Sequence, residues 1–233
     1  MKLSTEEKIS IFLALYVAGI LAANLIGAKL TVLFGKPLSV AILSLPITYV
    51  VLSAANEVFG TSLPRKYILS AIIAQIAVLI LIAVSLKLPA GPRQILVFGN
   101  PEESIKVYNI VFKQSGRIII GSIIAFLTSQ LYTIWAFNWV KHKTYEKFAW
   151  LRYNLAAISG QFIDTFLFMF IAFYSGDVKF TATIALTYFL FKALAAVVST
   201  PFFYGGVWWL RSGKTPPSEP MRVAVRIPER RRA

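Results

Sequence analysis

Apolar positions along this chain come in long, nearly unbroken runs, interrupted by short charged stretches. Six runs can be drawn, roughly 9-33, 38-58, 67-87, 117-140, 154-175 and 181-210. Each is long enough to cross a hydrocarbon layer of about 30 Å as a helix rising about 1.5 Å per residue. The pattern predicts an all-α membrane protein: a six-transmembrane-helix bundle over 1-210 and a basic, proline-rich cytoplasmic tail over 211-233. The last run is long for one crossing, and Pro201 is expected to kink it or end its regular part. Gly60 offers a stop to the second run. Residues 88-116 open with Pro89, Gly91 and Pro92, then set Ile105, Val107, Tyr108, Val111 and Phe112 among Glu102, Glu103, Lys106 and Lys113. That reads as a loop followed by an interfacial helix, either a lid over the mouth of the bundle or a surface helix without a gating role.

Polar residues inside the runs carry the candidate chemistry. At about 100° per residue, Asn154, Gln161, Asp164, Thr165, Phe168 and Ala172 share about a third of the circumference of the fifth run. A charge inside a bilayer costs about 2.5–3.5 kcal/mol even on the mildest scale, so such residues usually line a cavity. In the sixth run Ala185, Tyr188, Lys192, Ala195, Ala196 and Ser199 form a comparable stripe, and Lys192 is the natural partner for Asp164. The pair reads as part of a binding site or as a structural salt bridge. Ser122, Phe126, Gln130, Thr133 and Phe137 share a face of the fourth run; Pro46, Tyr49, Ser53 and Glu57 share one in the second. Glu57 belongs either to the site or to the interface beside Arg65 and Lys66. The first run holds Asn24 and Lys29, the latter an interfacial anchor or a site residue, and its Ala14, Ala18 and Ala22 are expected to pack within the bundle rather than against a partner. The third run, with Gln75, reads as packing.

Composition narrows the classes further. Hydrophobic residues make up 57% of the chain, which accords with an integral membrane protein; the net charge of +14 sits in loops and tail, so topology accounts for it without a nucleic-acid partner. With the N-terminus cytoplasmic, the loops and tail on that side carry 15 lysines and arginines against 7 opposite. Both termini are therefore expected in the cytoplasm, and the chain in the cytoplasmic (inner) membrane. There is no cysteine, and the single histidine, His142, falls in a loop. Neither a serine-protease base, a zinc cluster nor a phosphate-binding loop can be built from these residues, so no enzyme activity, cofactor or metal is expected. A bundle with amides, aromatics and two opposite charges facing inward suits a small polar molecule.

The order of these residues resembles a known family. The segments Leu45-Pro46-Ile-Thr-Tyr through Glu57-Val-Phe-Gly60, Arg117 to Phe126 with Ser129-Gln130, Trp150-Leu-Arg152-Tyr-Asn154 through Gln161-Phe-Ile-Asp164-Thr165 to Phe173, and Phe191-Lys192 are similar to the queuosine precursor transporter family, also called the vitamin uptake transporter family. The resemblance implies an importer of 7-deazaguanines such as 7-cyano-7-deazaguanine, feeding queuosine or archaeosine synthesis, with a fold like the substrate-binding subunits of energy-coupling-factor importers. Where the family commonly places acidic residues in the second and fourth spans, this chain has Ser53 and Thr133. A deazaguanine presents adjacent N–H donors that one carboxylate can accept together, and a carbonyl that needs a donor. Asp164 or Glu57 is assigned to the donors, with Gln130, Gln161, Asn154 or Lys192 for the carbonyl and nitrile; Tyr188, Phe168, Phe126 or Tyr49 could stack on the ring, and Asn24 joins the set. The alternative is a subunit that works with an ATPase module; a homo-oligomer stays open as well.

Overall fold

Each apolar run becomes a helix in the computed structural model, which describes residues 3–26, 29–33, 36–112, 116–145, 147–174 and 176–212. The tail from residue 213 onward, and with it most of the expected basic segment, lies outside the described residues. Among the described residues six helical segments are long and apolar enough to cross a membrane: α1 (Thr5–Ile26), a 3-10 turn leading into α2 (Leu45–Phe59), α3 (Ser62–Ser85), and, after the short α4 (Pro92–Phe98) and α5 (Pro101–Phe112), α6 (Gly116–Lys143), α7 (Ala149–Phe173) and α8 (Val178–Val198). A final helix, α9 (Thr200–Arg211), completes the described chain. The fold is the all-α membrane bundle that the apolar runs indicate.

Local chemistry sets the boundaries. Helix α1 opens with a capping box, the Ser4 hydroxyl accepting from the Glu7 amide at 3.2 Å and the Glu7 carboxylate accepting from the Ser4 amide at 2.6 Å. Gly60, at φ 73°, closes α2 in a backbone region that a side chain would strain. The break between α8 and α9 falls at Ser199, and Pro201 sits in the first turn of α9, where its missing N–H costs nothing. One boundary differs from expectation. The first helix stops at Ile26, and Leu30–Leu33 pairs antiparallel with Lys36–Ser39, Thr31 opposite Leu38. Thr31 and Val32 are β-branched and Pro37 cannot continue a helix, so extended backbone prevails over hydropathy there. Lys29 accordingly lies outside the helix, exposed before the hairpin.

Packing gathers around aromatic and small residues rather than aliphatic ones. Tyr153 stacks on Phe203 at 4.6 Å and shares a 2.5 Å hydrogen bond with Ser199, while the Tyr67 hydroxyl donates to the Ile9 carbonyl at 2.6 Å. Leu69, Ile73, Ile80, Leu81, Leu190 and Leu194 are exposed and form the lipid-facing surface. Ala14 and Ala18 lie on that surface too, which corrects the expectation that they pack within the bundle: α1 turns Phe12, Tyr16, Gly19 and Ile20 inward instead. Both ends of the described chain meet on one side. The buried Lys8 ammonium donates to the Trp209 carbonyl at 2.8 Å and to the Ser212 carbonyl and hydroxyl, tying α1 to the end of α9. On the opposite side, Tyr108 of α5 bonds Ser85 at 2.9 Å, so the surface helix is docked on the end of α3.

Candidate functional site

The central site is built on the close approach of α6 and α7. Gly160 on α7 lies against Thr133 and the Ser129 carbonyl of α6, and Gly121 of α6 lies against Ile171 of α7. A side chain at Gly160 would collide with the Thr133 hydroxyl. One turn beyond Gly160, this contact brings Asp164 to α6, where the Ser129 hydroxyl donates to its Oδ1 at 3.4 Å. From the other side, α8 delivers Lys192, whose ammonium donates to Asp164 Oδ2 at 2.8 Å. Side-chain exposures of 18% for Lys192 and 22% for Asp164 place the pair inside the bundle without sealing it. Both carboxylate oxygens are therefore occupied.

Unsatisfied polar groups lie on α7 beside Asp164 and on the facing side of α2. The buried hydroxyls of Tyr49, Ser53 and Thr165 and the carbonyl oxygen of Gln161 have no hydrogen-bond partner among the described residues. Gln161 and Thr165 bracket Asp164 along α7; Tyr49 and Ser53 are one turn apart on α2, and the Tyr49 hydroxyl lies within electrostatic reach of Asp164. An orphaned buried polar atom costs about 1–3 kcal/mol, so each of these on α2 and α7 calls for a partner. They are the groups a polar ligand would satisfy.

Other residues assigned to the site fall elsewhere. Glu57, only 7% exposed, accepts from Arg152 through both oxygens, at 2.9 Å from Nε and 2.5 Å from a terminal nitrogen, with Lys141 at 3.8 Å and Arg211 at 3.4 Å. It is the hub of an ionic cluster joining α2, α6, α7 and α9 on the side of the chain ends, so its partners are Arg152, Lys141 and Arg211 rather than Arg65 and Lys66. Asn154 is engaged away from Asp164: its amide donates to the Trp150 carbonyl and the Thr200 hydroxyl, each at 2.9 Å, tying α7 to the start of α9. Gln130 accepts from the Tyr16 hydroxyl at 3.0 Å and so points toward α1, not toward Asp164. Asn24 lines a cavity of about 170 Å³ between α1, α3 and α6, together with Gln75 and Ser122, and neither Asp164 nor Lys192 reaches it. The hollow expected around the acid and base is thus not this cavity; the two charges close on each other instead. Phe168 and Tyr188 remain one turn from Asp164 and Lys192, half-buried.

Ser129 is the contact that the sequence did not single out. Helical periodicity sets it beside Gln130, but only the glycine opposite shows that it meets the acid. Arg152 is the other, hidden among the loop cations by position alone.

Residues 39–206, which include all of the central site, match the family described as "Putative vitamin uptake transporter". The chain belongs to this family. No curated protein and no solved structure matches it. Membership in the vitamin uptake transporter family, with six helices long and apolar enough to cross a membrane among the described residues, makes this a multi-pass membrane protein of the small-molecule uptake class. The matched region holds Asp164, Lys192, Ser129 and the Glu57 cluster alike, and stops short of Arg211.

Proposed function

We infer that this chain imports a flat, polar heterocycle of the 7-deazaguanine type, 7-cyano-7-deazaguanine or a relative, across the cytoplasmic membrane, supplying queuosine or archaeosine synthesis. The observation that carries this reading is the partly exposed Asp164–Lys192 pair, with the unpartnered Gln161 and Thr165 beside Asp164 on α7 and Tyr49 within electrostatic reach of it. A ligand with two adjacent N–H donors can replace Lys192 on the carboxylate, while the freed ammonium turns to the ligand carbonyl. Gln161 and Thr165 accept or donate at the edge, and Phe168 or Tyr188 covers a face of the ring. The exchange trades one charge-assisted contact for another, so the acid and base never stand unpaired in the membrane. The basic loops argue for both termini in the cytoplasm, which sets the Glu57 cluster at the cytoplasmic end.

A second reading, a substrate-binding subunit working with an ATPase module, is favoured by the outward-facing Ala14 and Ala18, where another helix could approach closely. The deciding experiment is uptake of labelled 7-cyano-7-deazaguanine by the purified chain in liposomes, with and without proton or sodium gradients, beside equilibrium binding to Asp164→Asn. Uptake by the chain alone and at least a tenfold loss of affinity in the variant are expected. Wild-type affinity in Asp164→Asn removes the carboxylate from the site.

A further inference from the structure

A second polar environment lies away from the ion pair, on the side opposite the chain ends. Phe112 of α5 and apolar residues such as Ile82 wall a cavity of about 170 Å³, into which Asn24 of α1, Gln75 of α3 and Ser122 of α6 bring the polar groups. Gln75 is only 4% exposed, and its amide has no hydrogen-bond partner among the described residues. Asn24 and Ser122 likewise make no side-chain hydrogen bond among the described residues. The Gln75 amide opens on the cavity, where a ligand can bond it.

Size and charge restrict what could. A cavity of roughly 150 Å³ admits benzene, whereas pockets for drug-sized ligands run about 300–1,000 Å³, so one or two fused rings fit and a nucleoside does not. No charged side chain among the described residues lines the cavity, and its polar groups there are neutral amides and a hydroxyl, which suit an uncharged ligand. Carboxamides offer both an acceptor and donors, which matches the adjacent N–H and C=O of a cyclic amide.

We propose that this cavity is a second binding site, for a neutral heterocycle bearing a cyclic amide edge, which the ligand occupies before it reaches Asp164 and Lys192. The proposal rests on the import reading and adds a station to it. Asn24 and Gln75 grip the amide edge, Ser122 bonds a ring nitrogen, and Phe112 lies over the entrance.

The absence of cysteine from the chain makes the test direct. Ser122→Cys places one thiol in the cavity, and its modification by methyl methanethiosulfonate, a small neutral reagent, is followed by mass spectrometry on protein in nanodiscs. With 7-cyano-7-deazaguanine at about ten times its Kd, modification slows about tenfold. Protection persists when Asp164→Asn is added, and disappears when Gln75→Met removes the amide or Ile82→Phe fills the space from another wall. Calorimetry on the same samples reports binding at the central site and shows that the variants are folded. The proposal is overturned if protection vanishes with Asp164→Asn, survives Gln75→Met and Ile82→Phe, or is absent while calorimetry shows wild-type binding. A thiol that is unreactive even without ligand also overturns it, because an acyl chain then fills the cavity. If calorimetry detects no wild-type binding, the import reading itself fails.

Discussion

Lys192→Met removes one member of the central pair and leaves Asp164 with only the Ser129 hydroxyl at 3.4 Å. At the observed 2.8 Å the charges attract by about 6 kcal/mol at an effective dielectric of about 20, most of which offsets their desolvation. Removing one partner of a buried pair costs about 3–5 kcal/mol, and because each side chain here is about a fifth exposed, about 2–3 kcal/mol is expected. For a chain of this length that lowers the midpoint of thermal unfolding by about 5–10 °C. The double variant Asp164→Asn/Lys192→Met has no charge left to bury and should recover most of that loss. Transport separates the two roles of the pair. If the carboxylate holds the ligand, uptake of 7-cyano-7-deazaguanine in liposomes stays abolished in the double variant although its unfolding midpoint has returned. Recovery of uptake together with stability would refute the reasoning, because the pair would then be a structural tie and nothing more.

Glu57→Gln leaves Arg152, Lys141 and Arg211 clustered without their acid and should cost about 3 kcal/mol in thermal unfolding, while the Kd for the heterocycle moves less than about twofold. A large change in Kd with intact stability would return Glu57 to the substrate set. Gly160→Ala drives a methyl group into the Thr133 hydroxyl, costing about 1–3 kcal/mol and displacing Asp164 from Ser129; adding Thr133→Ala should restore unfolding temperature and uptake together. Lys8→Met deletes charged hydrogen bonds to the end of α9 and should cost about 1.5–3 kcal/mol without altering uptake, read by thermal unfolding beside the liposome assay.

Much of the bundle was legible because membrane spans obey one rule: a helix must satisfy its backbone internally, so long apolar runs become helices. The exception at Leu30–Leu33 follows from the same rule, since residues near the membrane surface are released from it and local β-branching then decides. Helix faces were legible as well. Gln161, Thr165, Phe126, Gln130 and Thr133 all turn inward as their spacing requires, and Lys192 meets Asp164. The cavity at Gln75 was not legible, because a single amide in an apolar run carries no periodic signal.

Depth explains why residues of one helix face separate. Periodicity fixes the face on which a side chain stands, but its level in the bilayer depends on where the helix begins. Tyr49 and Glu57 share a face of α2, yet eight residues separate them by about 12 Å along the axis. That is enough to put one beside the central acid and the other among the cations at the membrane edge. The same arithmetic separates Asn154 from Asp164 by about 15 Å on α7, at the level where Asn154 bonds Thr200. Inward polar residues thus divide among an ionic layer by the chain ends, a central ion pair, and a cavity on the far side. On the import reading proposed above, a polar molecule crossing the protein meets those levels in turn. This is why the central pair, being neither sealed nor open, is the level at which substitution should separate binding from stability.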